Sequence, residues 1–194
     1  MHSALKKGHI MTYYDKNALK LSHEYLKAHI NKTDVCVDAT MGRGRDTLLL
    51  CNLSKEVYAF DIQPDAIAST QALLEENAIT NAQLILDSHH NLKNYVEDAK
   101  CVVFNFGFLP GGDHTIFSHS DTSIKAIEAA LDIIPSDGFV SICSYYGGDT
   151  GFEERDNLLA FLEKLDSKKY TVMLHSFYNR PNCPPLFIVI EKNH

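Results

Sequence analysis

The sequence predicts an α/β protein with a doubly wound, seven-stranded sheet that is mostly parallel and has an antiparallel last strand. Short, continuous apolar runs alternate with helical segments along the chain, and such runs are typical of strands buried on both faces of a parallel sheet. The last two runs are joined by a turn without a helix. Because a parallel pair needs a crossover of about a dozen residues, these two strands are expected to be antiparallel neighbours.

Strands and helices alternate along the chain after one leading helix. That helix is expected over 17–29, where apolar residues recur at helical spacing. Strands are predicted at 35–39, 57–60, 83–86, 101–104, 138–144, 169–178 and 186–191. Further helices are predicted at 45–53, 64–77, 121–134 and 151–165, with a short helix or turn at 92–98.

The chain of 194 residues is long enough for one domain, which we expect to cover 1–194 with a loosely ordered extension at 1–16. No apolar run approaches the roughly 20 residues of a membrane-spanning helix, and no secretory signal is visible. The five cysteines show neither CxxC nor zinc spacing. This pattern favours reduced thiols in a cytoplasmic protein.

The formal net charge of -7 argues against a nucleic-acid partner without excluding one. A local basic patch can coexist with an acidic remainder. The candidates for such a patch are Lys6, Lys7, Lys16, Lys20, Arg43, Arg45 and Arg180. The simpler interpretation of each is a solvated surface charge.

The segment 35–47 carries the strongest functional signal. A short strand ends in Asp38, a turn with Gly42 and Gly44 follows, and a helix begins, which is the construction of a nucleotide-type cofactor site. The dinucleotide fingerprint requires a third glycine where Thr47 stands. A carboxylate at Asp38 also suits an amine or a positive centre better than a pyrophosphate. The pattern therefore favours S-adenosylmethionine as the cofactor.

Polar residues follow each of the first four strands, namely Asp38, Asp61, Asp87 and Asn105. In open α/β sheets, ligands bind outside the carboxyl ends of the strands. Asp61 can accept hydrogen bonds from both ribose hydroxyls, and Asp87 with Ser88 can receive the adenine amino group. Each residue alone is explained by a turn or a helix cap, but four in register are hard to assign to capping.

Several motifs together resemble a known family. Asp38-Ala-Thr-Met-Gly-Arg-Gly44 resembles motif I of the class I S-adenosylmethionine-dependent methyltransferases. With DSHHNL at 87–92, NFGFLPGGD at 105–113 and a proline pair before the last strand, the chain resembles the YtqB/MnmM-like family of putative rRNA methylases over roughly 18–192. The resemblance implies a Rossmann-like sheet of the class I methyltransferase fold.

The resemblance also implies an activity. Members of this family are associated with methylation of the amine of 5-aminomethyl-2-thiouridine at wobble position 34 of tRNA, which gives 5-methylaminomethyl-2-thiouridine. The implied partner is the anticodon stem-loop of tRNA, in the cytoplasm, with S-adenosyl-L-methionine as cofactor and a homodimer as a possible assembly. No membrane and no metal are expected.

The cofactor contacts that the resemblance implies lie at the ends of the first four strands. They are Asp38, Thr40, Gly42, Gly44, Asp46, Thr47, Asp61, Ile62, Gln63, Asp87, Ser88, His89 and Asn105. One departure from the family pattern is Arg43, where a small polar residue is expected. It leaves open whether this side chain changes cofactor contacts or adds positive charge near RNA.

The acceptor side is expected across the sheet, at 105–113. The run that begins at Asn105 resembles the Asn-Pro-Pro-Tyr loop of amine-directed methyltransferases, and Asn105, Asp113 and His114 are the candidate catalytic residues. The substrate contacts implied are Phe106, Gly107, Phe108, Leu109, Pro110, Tyr145, Tyr146 and Arg180. The alternatives are a flexible surface loop for the glycines and packing in or near the core for the aromatic residues.

Other functions remain open at this point. An rRNA or small-molecule amine methyltransferase is one alternative, and the acidic net charge mildly favours the small molecule. A non-catalytic cofactor- or RNA-binding module is another, and an NAD-dependent dehydrogenase comes last because the third glycine is absent. His89 and His90 could form a metal pair, but no third ligand is apparent.

Overall fold

The computed structural model describes residues 15–106, 120–147 and 151–194, with the side chains of 120 and 121 left out. It contains one seven-stranded sheet in the order β3-β2-β1-β4-β5-β7-β6. The strands are β1 Val35–Asp38, β2 Glu56–Asp61, β3 Ala82–Leu86, β4 Cys101–Phe106, β5 Phe139–Ser144, β6 Tyr170–His175 and β7 Leu186–Lys192. The α-helices are α1 Ala18–His29, α2 Arg45–Leu53, α3 Pro64–Glu76, α4 Ser120–Ile133 and α5 Gly151–Leu162.

The strand directions confirm the predicted doubly wound sheet. β1 to β5 pair in parallel, and β7 pairs antiparallel with both β5 and β6. The last two strands are therefore antiparallel neighbours, as the short turn between them requires. β7 lies between β5 and β6, so the carboxyl ends of β6 and β5 point to the same edge of the sheet. The turn that follows β6 lies on that edge, together with the loops that follow β1 to β5.

Two apolar layers cover the sheet. One contains the inward sides of α4 and α5 and residues of β4 and β5 such as Phe104 and Ile142. The other contains α1 and α2, with Leu26 and Leu50 packed beside Phe187 of β7. Burying continuous apolar strands on both faces is the main stabilising contribution in a fold of this kind.

The leading helix α1 packs across β5 and β7. Its first turn is capped by the Asn17 side chain, which accepts a hydrogen bond from the Lys20 backbone N–H at 2.8 Å. Ala18, Ser22 and Leu26 form its buried side, and the Ser22 and Ser141 hydroxyls lie 2.9 Å apart. The buried contact fixes α1 over the sheet, so the residue that follows Ser22 has a defined position.

The predicted boundaries differ from the structure at several ends. The short helix starts at His89 rather than at 92, as a 3₁₀ helix over His89–Asn94. It starts early because the Asp87 carboxylate accepts from the Ser88 N–H and the Asn91 side chain and closes the chain directly after β3. The strand predicted at 169–178 is β6, which ends at 175, and the helix predicted at 151–165 is α5, which ends at 162.

Among the described residues, no helix is both long and apolar enough to cross a bilayer. That the chain forms one domain over 1–194, with an extension at 1–16, stays a prediction.

Candidate functional site

The carboxyl ends of β1 and β4 meet where the chain order of the sheet reverses. The helix after β1 leads towards β2 and β3, whereas the chain after β4 leads towards β5. Ligands of doubly wound sheets bind in the crevice at this reversal. Asp38, Asp61, Asp87 and Asn105 lie at or directly after the ends of four adjacent strands. The structure thus brings the four predicted polar residues to one edge.

The glycine turn lies between β1 and α2 and is tied to β2. Gly42 and Gly44 have φ angles of 51° and 77°, in the region that favours glycine. The Gly42 N–H donates to Asp61 Oδ2 at 2.9 Å, and its carbonyl accepts from the Thr70 hydroxyl at 3.2 Å. The second Asp61 oxygen accepts from the Gln63 N–H at 2.9 Å. Asp61 therefore ties the glycine turn to the end of β2.

Gly44→Ala is expected to destabilise the protein by about 2–4 kcal/mol, from left-handed backbone strain and overpacking together. A Cβ at this position lies 2.7 Å from both Cγ2 and Oγ1 of Thr70. Chemical denaturation of the wild type, Gly44→Ala, Thr70→Ala and the double variant measures the loss. Thr70→Ala alone removes the hydrogen bond to the Gly42 carbonyl, so it is the reference for the double variant. Gly44→Ala should cost less stability in the Thr70→Ala background than in the wild type, because Thr70→Ala removes both atoms. An equal cost in the two backgrounds would show that the contact with Thr70 contributes nothing.

Asp38 lies inside the turn. The residue is 1% exposed, and its two oxygens accept from the Thr40 N–H at 3.2 Å and from the Thr47 hydroxyl at 2.6 Å. Burial, with the negative charge of Asp46 nearby, raises the pKa of Asp38 above the usual range of aspartate. Its carboxyl braces the turn from within. A direct contact between Asp38 and a cofactor amine stays a prediction.

Asp46 lies in the first turn of α2 and joins three elements. Its Oδ1 accepts from His23 Nε2 of α1 at 2.6 Å, and its Oδ2 accepts from Asn105 Nδ2 of β4. The Asn105 N–H donates to the Thr40 hydroxyl at 2.7 Å. His23 is absent from the predicted site residues, because nothing in the sequence around it marks a site. A histidine beside the apolar stripe of a helix is the only signal there, and it is a weak one.

Asp87 and its neighbours form the β3 side of the crevice. The carboxylate accepts from the Ser88 N–H at 2.7 Å, from Asn91 Nδ2 at 2.9 Å and from the Tyr95 hydroxyl at 2.9 Å. These hydrogen bonds hold the pKa of Asp87 below its usual value. Between Asp61 and Asp87, the side chains of Ile62 and Leu86 are 54% and 56% exposed. Such an uncovered apolar pair beside acceptor groups suits the face of an aromatic base.

The imidazole of His89 is packed against the aromatic end of β4. Its ring lies edge-on to Phe104 and Phe106, with centroids 6.0 and 6.3 Å away. Burial lowers the pKa of His89 to about 4, while a hydrogen bond with the Ala39 backbone acts in the opposite direction. The Nε2 atom of this ring is buried and has no hydrogen-bond partner among the described residues.

His89 is expected to make the protein sensitive to acid. Its pKa is about 4 in the folded protein, below the ordinary histidine value of 6.5, so the unfolded chain binds more protons between these values and stability falls as pH drops from 6.5 to 4. The full loss is about 3 kcal/mol. The raised pKa of Asp38 acts in the opposite direction in every variant, so the contribution of His89 is measured as a difference. Between about pH 7.5 and pH 4.5, the wild type and His29→Gln should lose about 3 kcal/mol more stability, or gain that much less, than His89→Gln does. Equal pH dependence in all three would contradict the assignment.

The aromatic residues on the acceptor side divide into two groups. Phe106 is buried and stacks on Phe104 at 5.1 Å, and Tyr146 packs on Phe152 beneath the Arg155 guanidinium. Tyr145 is 44% exposed and its N–H donates to the Phe106 carbonyl at 2.9 Å. Of the two predicted tyrosines, Tyr145 is the one that is open to a ligand.

Six further predicted residues of this side lie outside the described part of the chain. They are Gly107, Phe108, Leu109, Pro110, Asp113 and His114.

Arg180 lies in the turn after β6. Its guanidinium stacks over the Phe177 ring at 3.7 Å and donates to the Lys16 carbonyl before α1. This turn borders a cleft of about 630 Å³ between α1 and the end of β6. The cleft opens on the same edge as the crevice, but three strand positions beyond β4. At about 4.8 Å a strand, this is about 14 Å away. Arg180 thus lies well away from the crevice, and its contact with a substrate stays a prediction.

The described residues fit a bound cofactor. Two of their buried polar atoms have no hydrogen-bond partner, Asn105 Oδ1 and His89 Nε2, and both belong to predicted contacts. Buried polar atoms are normally paired, so each is expected to have a partner in a ligand, in solvent or elsewhere in the chain. Arg43, the departure from the family pattern, is exposed in the turn. No cluster of three metal-ligating side chains occurs in the described ranges.

Comparison with known proteins identifies the family. The model of the family described as "Putative rRNA methylase" matches residues 57–191. A curated relative from Arabidopsis thaliana, "tRNA (mnm(5)s(2)U34)-methyltransferase, chloroplastic", is 31% identical over 92% of this chain and 71% of its own length. The segment 35–47 precedes the residues that the family model matches, so the glycine turn supports the assignment independently.

Solved structures agree. A putative rRNA-methylase from Clostridium thermocellum has 42% identity and a TM-score of 0.89, covering 91% of this chain and 98% of its own. A putative methyltransferase from Streptococcus mutans, solved in complex with SAH, has 39% identity and a TM-score of 0.86 at the same coverage. Both comparisons confirm the predicted class I methyltransferase fold and set aside the dehydrogenase and the non-catalytic module. The chain belongs to the putative rRNA methylase family and is a methyltransferase that uses S-adenosylmethionine.

Proposed function

We propose that this chain methylates the amine of 5-aminomethyl-2-thiouridine at wobble position 34 of tRNA, giving 5-methylaminomethyl-2-thiouridine. The observation that carries this proposal is the amide of Asn105. Its Nδ2 is held by Asp46, and its buried Oδ1 has no partner among the described residues. An amide oxygen presented at the end of β4 suits an acceptor that carries an N–H. The name of the Arabidopsis thaliana relative supports the choice of nucleoside.

The cofactor side would be formed by Asp61, Ile62 and Asp87 with the glycine turn. S-adenosylmethionine supplies an electrophilic methyl group on a sulfonium sulfur, which leaves as a neutral thioether when the amine nitrogen takes the methyl group. No protein nucleophile is therefore required. Ile62 would lie against the adenine, and the Asp61 carboxylate would receive the ribose hydroxyls. These side chains hold the donor; the chain's remaining task is to align the amine.

The acceptor amine would be gripped by Asn105. Its Oδ1 accepts one N–H, which directs the nitrogen lone pair towards the crevice and costs no reorganisation because the amide is already fixed. An aliphatic ammonium group must lose a proton before it can react, and the amine loses another after methyl transfer. Asp113 and His114 stay the proposed proton acceptors. The exposed Tyr145 ring would stack on the base of the target nucleotide. Such stacking does not depend on the identity of the base.

The experiment is methylation of defined RNA. The protein is incubated with labelled S-adenosylmethionine and tRNA from cells that lack the last methyl group, and the nucleosides are separated by mass. We expect 5-methylaminomethyl-2-thiouridine to appear, and no label to enter tRNA that already carries the methyl group. Absence of the methylated wobble nucleoside, with the cofactor bound normally, would overturn the proposal.

The second candidate is methylation of a small amine, which the net charge of -7 favours. The free nucleoside in place of tRNA distinguishes the two. Equal kcat/KM for nucleoside and tRNA would favour the small-molecule function, while a strong preference for tRNA supports an RNA substrate. Ribosomal RNA in a third reaction tests the remaining alternative. A cytoplasmic location and a homodimer stay predictions.

A further inference from the structure

Three side chains from three elements form a continuous hydrogen-bonded chain beside the crevice. His23 of α1 lies 2.6 Å from Asp46 Oδ1, and Asp46 Oδ2 accepts from Asn105 Nδ2 of β4. Asp46 is 8% exposed, and the His23 side chain is 27% exposed. We propose that His23 is a positioning residue for methyl transfer, which acts through Asp46 to present Asn105 Oδ1 to the acceptor amine. This inference rests on the proposed function.

The orientation of the Asn105 amide follows from Asp46. An asparagine side chain has a donor end and an acceptor end, whereas a carboxylate only accepts. The end of Asn105 that faces Asp46 must therefore be the NH₂ group, and Oδ1 must face away from it. That oxygen is buried and has no partner among the described residues. If Asp46 rotated away, the amide could turn and offer an N–H where the amine needs an acceptor.

His23 prevents this rotation. Because Asp46 Oδ1 can only accept, Nε2 of His23 must carry the proton in the 2.6 Å contact. The second oxygen of Asp46 is thereby anchored to α1, and both ends of the carboxylate are fixed. The buried Asp38 carboxyl lies near enough to Asp46 for the two to repel when both are charged. The His23 N–H on the far side of Asp46 holds this carboxylate in position against that repulsion.

The helix that carries His23 is itself fixed. Ser22, the preceding residue, is 2% exposed and bonds to the Ser141 hydroxyl of β5 at 2.9 Å. Leu26, three residues after His23, is fully buried. The position of His23 is therefore set by packing of α1 on the sheet. In this way the helix that precedes the first strand contributes to the acceptor site.

The test compares three variants of α1. His23→Phe keeps a ring and removes the donor, His23→Gln restores an N–H donor, and His29→Phe makes the same change at an exposed position of the same helix, where the ring stacks on Tyr25. We expect His23→Phe to lower kcat for tRNA by about 10- to 100-fold, as loss of an orienting partner does. KM for tRNA and Kd for S-adenosylmethionine should change little.

The controls separate positioning from mere stability. His23→Gln should recover most of the lost kcat, and His29→Phe should match the wild type. Equal losses in His23→Phe and His29→Phe, or no recovery in His23→Gln, would overturn the proposal, because either result means that the hydrogen bond is irrelevant.

A readout without activity keeps the inference testable if the proposed substrate is wrong. In ¹H–¹⁵N spectra, the side-chain amide of Asn105, assigned by its absence in Asn105→Ser, should shift and exchange faster in His23→Phe than in His29→Phe. In the wild type, the ring nitrogens of His23 should report a protonated Nε2, a measurement that does not depend on any variant folding. The proposal would be wrong if Nε2 of His23 were unprotonated, or if the signals of the Asn105 amide were the same in His23→Phe and in His29→Phe.

Discussion

Asn105→Ala is expected to lower kcat for tRNA methylation by about 100- to 1000-fold, the loss typical of removing one fixed polar group that acts on the reacting centre. The substitution deletes the buried Oδ1 and the donor to Asp46. It leaves the backbone N–H of residue 105, which bonds to the Thr40 hydroxyl at 2.7 Å, so β4 and the glycine turn should keep their arrangement. The defect should therefore lie in the chemical step.

Single-turnover kinetics and calorimetry with S-adenosylmethionine separate this step from cofactor binding. The matched control is Asn52→Ala on the exposed side of α2, where the amide bonds to the Leu48 carbonyl. It should leave kcat unchanged. A loss in Asn105→Ala confined to cofactor affinity, with kcat intact at saturating cofactor, would make Asn105 a cofactor ligand and remove it from the acceptor site.

Local pattern in the sequence predicts the elements well and their ends less well. The fourth apolar run predicts a strand at 101–104, but β4 continues through Asn105 and Phe106 because these residues pair with Cys143 and Ser144 of β5. The partner strand lies almost 40 residues further along the chain, and no local pattern contains it. The same holds for β7, whose place between β5 and β6 is set by pairing on both sides.

The site shows the same limit. The order of the strands makes it predictable that Asp38, Asp61, Asp87 and Asn105 share one edge, because the carboxyl ends of parallel strands always meet there. Which way each carboxylate faces is not predictable. Asp38 turns inward to the Thr47 hydroxyl, a contact set by where α2 begins. Side-chain direction at a strand end depends on the helix that covers it, which the motif does not specify.

His23 escapes prediction for a related reason. Its contact with Asp46 depends on how α1 crosses β5 and β7. A helix outside the repeating β-α units carries no sequence motif from which this crossing could be predicted. Sequence reasoning finds residues that stand beside a recognised pattern. Residues that reach the site through packing are found only from the structure.

Asp61→Ala is expected to weaken the binding of S-adenosylmethionine by at least about 100-fold. Two contributions add. The variant loses the proposed acceptor for the ribose hydroxyls. Hydrogen bonds to a charged group contribute about 1.5–3 kcal/mol each, and about 1.4 kcal/mol corresponds to a factor of ten in affinity. It also loses the two bonds to the Gly42 and Gln63 N–H groups, so the glycine turn is no longer tied to β2. Asp65→Ala, an exposed acid in the first turn of α3, is the matched control and should bind normally.

Two analogues can separate the direct contact from the effect on the turn. Methylthioadenosine and its 2′-deoxy form differ only in one ribose hydroxyl, so calorimetry on the wild type should show weaker binding of the deoxy form. In Asp61→Ala, both should bind equally weakly if the carboxylate receives that hydroxyl. If the variant still discriminates between them, Asp61 acts only by holding the Gly42 turn, and the ribose must be read by another residue. The Asp61 oxygens already accept one N–H each. Equal binding of the two analogues to the variant would therefore mean that the same carboxylate fixes the turn and accepts a hydrogen bond from the ribose.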